Sequence, residues 1–311
     1  MTLLQSLDRP ILITDWAPSE EFPIFPIGSK PKRMVICPDN VDQDFLVRGH
    51  AYLFKTARGW QEQQAWTEVI AYRVANLVGI QVPPAFIAVD ESTRETGALI
   101  EFFYGYPGQN APPRLVHGSD IMTRFLRDKK HGRPHILRRN QKITQTFMGE
   151  DASQRWWSRT LCFDALIGNT DRHPENWGLL VHLAPNAPPR AEMAPPFDNA
   201  TSLGYEIAEA KLPRMQGDSL ERYVERGTHH CGLVGDGPSP HFDLCKALIN
   251  EYQSTVSEIE LLSRIDMDAV GAFLGEATEC IASVAFSRQR ADFTLRLLSA
   301  RLARLRALLG S

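Results

Sequence analysis

Cysteine is scarce in this chain. The five thiols, Cys37, Cys162, Cys231, Cys245 and Cys280, are scattered, odd in number and form no C-x-x-C pair. That excludes a disulfide framework and a cysteine-based zinc site, and it fits reduced thiols in a cytoplasmic protein. Long apolar runs are missing as well: no stretch approaches the roughly 20 residues that a bilayer-spanning helix needs. The opening "MTLLQSLDRPILITDW" has neither the cationic start nor the small-residue cleavage site of a secretory signal, so no membrane association is expected. There is no excess of one charge. The formal net charge of −3 argues against a surface that coats nucleic acid and leaves room only for a local basic patch. Internal repeats and low-complexity tracts are absent. The nearest thing to a metal cluster, His229-His230-Cys231, is three adjacent residues whose side chains rarely converge on one ion.

What is present is ordinary globular material, 311 residues with 43% hydrophobic and 23% charged, enough for two lobes. Residues 1–104 read as strands with one helix. "RMVIC" (33–37) and "AYLFK" (51–55) are short β-favouring runs, and "VPPAFIAV" and "TGALIEFFYG" read as two more. Between them, Trp66, Val69, Ile70, Val74, Leu77 and Val78 recur at helical spacing, with Gly79 suited to the C-terminal turn. The chain from 105 to 311 reads as mainly helical. Residues 151–168 form a helix with Asp151 as candidate N-cap and an apolar stripe through Trp157, Leu161, Ala165 and Leu166. "WGLLVHL" is a strand, and 241–309 supply two or three amphipathic helices, the last with Leu298, Leu302, Leu305 and Leu309 as a core stripe between arginines. The expected architecture is α+β: a β-rich N-terminal lobe (1–104) and a mostly helical C-terminal lobe (105–311). A basic run at 124–142, including Arg138 and Arg139, reads either as a solvated face or as a docking patch for an acidic partner or nucleic acid.

The chemistry concentrates in "LIGNTDRHPENWGLL" (166–180), where a polar interruption splits two apolar segments. A helix ending in Asp-x-x-x-x-Asn before a short strand is the layout of a phosphotransferase catalytic loop. Asp171 would orient the proton of an attacking hydroxyl, and Asn176 would reach a metal held against nucleotide phosphates. A second oxygen ligand is supplied by "PPFDNATSLG", with Asp198 22 positions after Asn176; Mg²⁺ takes hard oxygen ligands and retains waters. Lys55, ending its strand, offers a cation for phosphate, and Glu68, thirteen positions on, would anchor it. "PIGSKPK" (26–32) is the candidate phosphate-covering loop, although it is not G-x-G-x-x-G. "ALIEFF" (98–103), with Glu101 and Phe103, is the candidate inter-lobe strand whose backbone would meet adenine. Each part alone has an ordinary reading as a strand-end lysine, a helix-surface acid or a turn. Their joint order points to an ATP- and Mg²⁺-dependent phosphotransferase with a protein kinase-like two-lobed fold.

On the stretches "GSKPK", "AYLFK", "TEVIAYRVANLVGIQVP", "IGNTDRHPENWGLL" and "PFDNATSLG", the sequence resembles HipA-like serine/threonine kinases, the toxin kinases of bacterial toxin–antitoxin systems, and more distantly phosphatidylinositol 3/4-kinase-like enzymes. The resemblance runs from roughly 22 to 205. It implies Asp171 as the catalytic Asp, Asn176 and Asp198 as metal ligands, Lys55 as the ATP-phosphate lysine and Gly28, Ser29, Lys30 and Lys32 as the phosphate loop. His173 falls at the catalytic-loop His, holding loop shape. It also implies a protein substrate and a small DNA-binding antitoxin partner. A phosphotransferase for small molecules or lipid headgroups, and a non-catalytic pseudokinase module, are the alternatives. Two departures stand out: the phosphate loop begins within thirty residues, a compact form without the family's N-terminal subdomain, and the serine that silences family members by autophosphorylation is replaced by Phe25, with Ile27 before Gly28. Silencing by this route is therefore expected to be absent or to use Ser29. Phosphosite mapping after incubation with ATP tests this: loop phosphate on any residue other than Ser29 contradicts it.

Overall fold

In a computed structural model of the chain, the residues described are 4–20, 32–126, 135–184, 187–310. The N-terminal half is a six-stranded sheet in the order β1-β5-β6-β4-β3-β2 (β1 Ile11–Leu12, β2 Ala17–Pro18, β3 Lys32–Ile36, β4 Ala51–Thr56, β5 Ala85–Asp90, β6 Glu95–Glu101), antiparallel except where β1 lies parallel to β5. Strand β4 alternates: Tyr52, Phe54 and Thr56 are buried while Ala51, Leu53 and Lys55 are half-buried. This period of two turns Lys55 to the opposite face from the Phe54 core. The register sets Lys32 directly across from Lys55, so the two lysines share that face.

Helix α1 (Gln64–Leu77) packs on β4, β5 and β6, and its N-terminal half is almost entirely buried. It is covered on both sides, by the sheet and by a C-terminal segment: Trp66 Nε1 donates to Val284 O (2.8 Å) and Gln63 Nε2 to Ala285 O (3.1 Å). The apolar core accordingly runs unbroken from the sheet through α1 into the C-terminal helices.

The C-terminal half begins with a three-stranded antiparallel sheet, β7 (Arg114–His117), β8 (Gly178–Ala184) and β9 (Ala187–Met193), with α2 (Gly118–Leu126), α3 (Leu137–Met148) and α4 (Glu150–Ile167) between β7 and β8. Helix α4 has its expected stripe buried, but its N-cap is Gly149; Asp151 sits inside the first turn, where its charge suits the helix dipole without capping. It ends at Gly168, φ +70°, whose N–H returns to Asp164 O, the left-handed stop that a glycine adopts without strain. Past β9 come α5 (Asp218–Arg226), the short pair β10 (Thr228–His229) and β11 (Ser239–Pro240), and four helices in place of the expected two or three: α6 (His241–Glu251), α7 (Ser254–Leu262), α8 (Met267–Thr278) and α9 (Arg288–Ala307). The stops between them carry little glycine or proline, so the apolar periodicity reads through them; α8 is set off by its own cap, Asp266 accepting from Asp268 N and Ala269 N. On α9, Leu298, Leu302 and Leu305 are buried as expected and Leu309 lies past the helix end.

Of the basic run, Arg138 and Arg139 lie on α3, and Arg138 is ion-paired with Glu251 (2.5 Å). Among the described residues no helix is long and apolar enough to cross a membrane.

Candidate functional site

The polar interruption between α4 and β8 and the loop following β9 converge with the end of β4 and the start of α1. Lys55 Nζ, largely buried, donates to Asp198 Oδ1. Burial pulls the lysine's pKa down, but the negative charges of Asp198, Glu68 and Asp171 outweigh it and hold it above the ordinary value. Three carboxylates thus face one ammonium, a field that favours a further cation.

Among the described residues Asp198 is one of three non-glycine residues with positive φ, at +58°. A left-handed aspartate is tolerated but costs energy that the surroundings must supply. They do so by clamping the loop from both sides. From α1, Thr67 Oγ1 donates to Ala200 O (2.6 Å), and Glu68 Oε1 accepts from Asn199 N (3.0 Å). From the catalytic loop, Thr170 N donates to Thr201 O (3.1 Å). Glu68 thus holds the backbone of the Asp198 loop; its charge acts on Lys55, but among the described residues the two form no direct ion pair. Its Oε2 has no hydrogen-bond partner among the described residues, and burial raises its pKa although Lys55 pulls the other way.

The segment 171–176 folds back on itself. Asp171 O accepts from His173 N (2.8 Å) and from Asn176 Nδ2 (2.7 Å), and Asn176 N donates to His173 O (2.8 Å). Asn176 thereby spends its amide N–H inward and keeps Oδ1 for an outward ligand. The Asp171 side chain is 43% exposed, available to an incoming group. His173 Nδ1 accepts from Glu175 N (3.2 Å), and its Nε2 lies 3.9 Å from Asp171 Oδ1. Both contacts lie within the loop itself.

The residue that organises this loop is Arg172, fully buried. Its Nε and Nη2 grip Asp164 on α4 (3.0 and 2.8 Å), Nη2 also reaches Asn199 Oδ1 (2.6 Å), and Nη1 donates to Asn176 O (3.2 Å) and to Phe197 O. One guanidinium thus fixes the helix, the catalytic loop and the Asp198 loop relative to one another. Asp164 accepts two further bonds, from Asn169 Nδ2 (3.0 Å) and His229 Nε2 (3.1 Å). Burial alone would raise its pKa; Arg172 and His229 instead hold it well below the usual carboxylate range. His229 Nδ1 accepts from Cys231 N (2.9 Å), which fixes the tautomer that donates to Asp164. In the tempting His229-His230-Cys231 run, His229 thus clasps Asp164 while His230 Nδ1 meets His135 Nδ1 (3.1 Å), and among the described residues no cluster of three or more metal-ligating side chains occurs. Arg172 stood in the sequence as one charged residue among several. Asp164, seven positions before Asp171, reads in sequence as an acid in the helix's last turn, and nothing local marks its burial.

At the inter-lobe strand, the Glu101 carboxylate is buried between two tyrosines, accepting from Tyr52 Oη (3.0 Å) and Tyr106 Oη (2.7 Å). Its backbone N–H goes to Pro84 O (2.8 Å), and that of Phe102 to Ala51 O (3.1 Å). Glu101 is therefore structural, and Phe103 is the first residue past the strand whose backbone N–H takes no partner among the described residues. The Phe103 ring stacks on Phe197 at 5.4 Å, joining this segment to the Asp198 loop. Lys32 lies at the start of β3; Gly28, Ser29 and Lys30 lie outside the described residues.

A family model, the HipA-like C-terminal domain, matches residues 27–259. Among solved structures, a Helicobacter pylori proinflammatory kinase, CtkA, superposes with a TM-score of 0.77 at 16% identity, covering 97% of this chain and 98% of that one. HipA of Shewanella oneidensis MR-1, from a toxin–antitoxin complex with HipB and operator DNA, superposes with a TM-score of 0.54 at 15% identity, covering 95% of this chain and 68% of that one. No curated protein matches the sequence. The α+β, two-lobed arrangement is thus a kinase fold, and with three quarters of its length matched, the chain belongs to the HipA-like C-terminal domain family.

Proposed function

We propose that the protein is an ATP- and Mg²⁺-dependent kinase that transfers a phosphoryl group to a serine or threonine hydroxyl of a protein. The observation that carries this reading is the convergence of Lys55, Asp198 and the Asp171–Asn176 loop, from three separate parts of the chain, around a carboxylate-rich site clamped by Arg172. The donor set suits the metal: carboxylate oxygens of Asp198 and the free amide oxygen of Asn176 are hard ligands of the kind Mg²⁺ takes. Bound between these residues and the nucleotide, the ion would neutralise phosphate charge. Lys55, with Lys32 beside it across the strands, would bind phosphate oxygens; the Phe103 backbone N–H would take the adenine edge. Asp171 would accept the hydroxyl proton and orient the acceptor. Little covalent help is asked of the protein, so positioning and electrostatics account for the rate.

A polypeptide acceptor is favoured by the surface beside Asp171. Trp60 is 67% exposed and stacks on Tyr205 at 5.9 Å, and Tyr205 is close enough for the Asp171 charge to act on its hydroxyl. An open aromatic face of this kind suits an extended chain better than an enclosed small molecule. Family membership adds a second element to the proposal, a toxin-like role with a DNA-binding antitoxin partner, as in the Shewanella complex.

Nucleotide binding tests the site. ATP with Mg²⁺ is expected to raise the melting temperature of the wild-type protein, and Asp198→Asn is expected to remove the Mg²⁺-dependent part of that rise. Equal Mg²⁺-dependent stabilisation of both proteins would contradict the metal assignment.

A further inference from the structure

Among the described residues three arginines are fully buried. Arg172 has Asp164, and Arg290 has Glu209 (2.8 Å) together with the carbonyls of Gly204 and Ile207. Arg301 on α9, 1% exposed, has no carboxylate at all among the described residues. Its single hydrogen bond is from Nε to Ala165 O (2.6 Å) at the C-terminal end of α4, and its guanidinium lies 5.4 Å from the Phe242 ring. The helix-end carbonyl and the ring offset part of the cost of burial. They leave the buried Nη2 without an acceptor among the described residues. A buried, unpaired cation of this kind is costly and calls for a counter-charge. Burial lowers its pKa only to about 10, so it is charged at neutral pH.

Arg301 lines an open cleft of about 210 Å³. Gly168 and Thr170 form its side toward the catalytic loop, and Arg226 and Thr228 its side toward α5 and β10. Arg226 also has no ion pair among the described residues. The acids of α5 that might have served, Glu221 and Glu225, are taken by Arg304 one turn further along α9. Glu206 on the same wall accepts the Tyr223 hydroxyl (2.7 Å). His241, packed near Arg301, is kept neutral by burial and by that arginine's charge, with its pKa pushed down to about 3, so it adds no cation. Neither Lys55, Asp171, Asn176 nor Asp198 lines the cleft.

We propose that this cleft is a second binding site, for a tetrahedral oxyanion of the phosphoryl type, held by Arg301 and Arg226 with the hydroxyls of Thr170 and Thr228. Two guanidinium groups and two hydroxyl donors match the several acceptor oxygens of a phosphoryl group. Thr170 immediately precedes Asp171, so an occupant would sit against the catalytic loop. The source is either free phosphate or the phosphorylated side chain of a protein.

The test is calorimetric titration of the full chain with inorganic phosphate, against chloride at matched ionic strength, beside Arg226→Gln, Arg301→Met and Lys55→Met. The expected result is saturable phosphate binding in the wild type, unchanged in Lys55→Met, weakened about tenfold or more in Arg226→Gln and lost in Arg301→Met. Without phosphate, Arg301→Met is expected to melt no lower than wild type, because it removes an uncompensated buried charge. If Arg301→Met fails to fold, the exposed Arg226→Gln decides. Absence of phosphate binding in the wild type overturns the proposal, as does affinity that is unaltered in Arg226→Gln or that depends on Lys55 instead. A phosphoserine peptide that displaces phosphate assigns the source to a protein chain; one that does not assigns it to the free ion.

Discussion

Arg172→Met is expected to destabilise the protein by about 3–5 kcal/mol, the cost of leaving one partner of a buried ion pair uncompensated. Asp164 would keep only Asn169 and His229 as donors inside a site with no solvent exposure. A shift of the urea midpoint without a change in slope reads this directly. The pH dependence supplies a second signature. In the wild type, the folded-state pKa of Asp164 lies below its unfolded value, so its contribution is present above the unfolded pKa. That contribution is lost only as the pH falls through the depressed value, in strong acid. In Arg172→Met, burial raises the folded pKa above the unfolded one, and the sign reverses: stability is gained as the pH falls from 7 toward 5. A variant that tracked the wild type over that window would show that Arg172 does not hold Asp164 ionised. Loss of loop registration should accompany the destabilisation, because the same guanidinium carries Asn176 O, Phe197 O and Asn199 Oδ1.

Asp171→Asn should act on chemistry alone. The side chain is 43% exposed and asparagine is isosteric with it, so the fold should be retained. Stability should change by no more than about 0.5 kcal/mol, as for a surface substitution. Removing the proton acceptor should lower phosphoryl transfer by about 10²–10⁴-fold, with ATP binding retained. A steady-state comparison of kcat with nucleotide affinity checks both halves. Lost affinity with normal turnover would assign Asp171 to binding.

Much of this was legible in the chain because local signals agree with the fold. The period-two run in β4 places Lys55, the left-handed stop at Gly168 ends α4, and Asp171 and Asn176 follow at fixed spacing. Tertiary placement was not legible. The role of Glu68 depends on Asn199 lying across from it, 131 positions away. Asp164 and Arg172 look like ordinary charges until burial is known, and burial of a charge is set by neighbours that no local pattern encodes. The enclosure of the Glu101 carboxylate by two tyrosines was not legible for the same reason: the strand "ALIEFF" suggests only a backbone role, and Tyr52 lies 49 positions away. The four C-terminal helices merged in sequence because a continuous apolar periodicity outweighs weak stop signals.

The central claim is that the convergent site transfers phosphate. The most direct measurement supplies labelled ATP with Mg²⁺ and follows label onto the protein itself and onto the proteins of a bacterial lysate, with Asp171→Asn alongside. Label on a lysate protein in the wild-type reaction, missing from the variant reaction, is the predicted result, and it would hand over the acceptor for identification. Label on no protein with the wild type, or equal label with both, would contradict the claim.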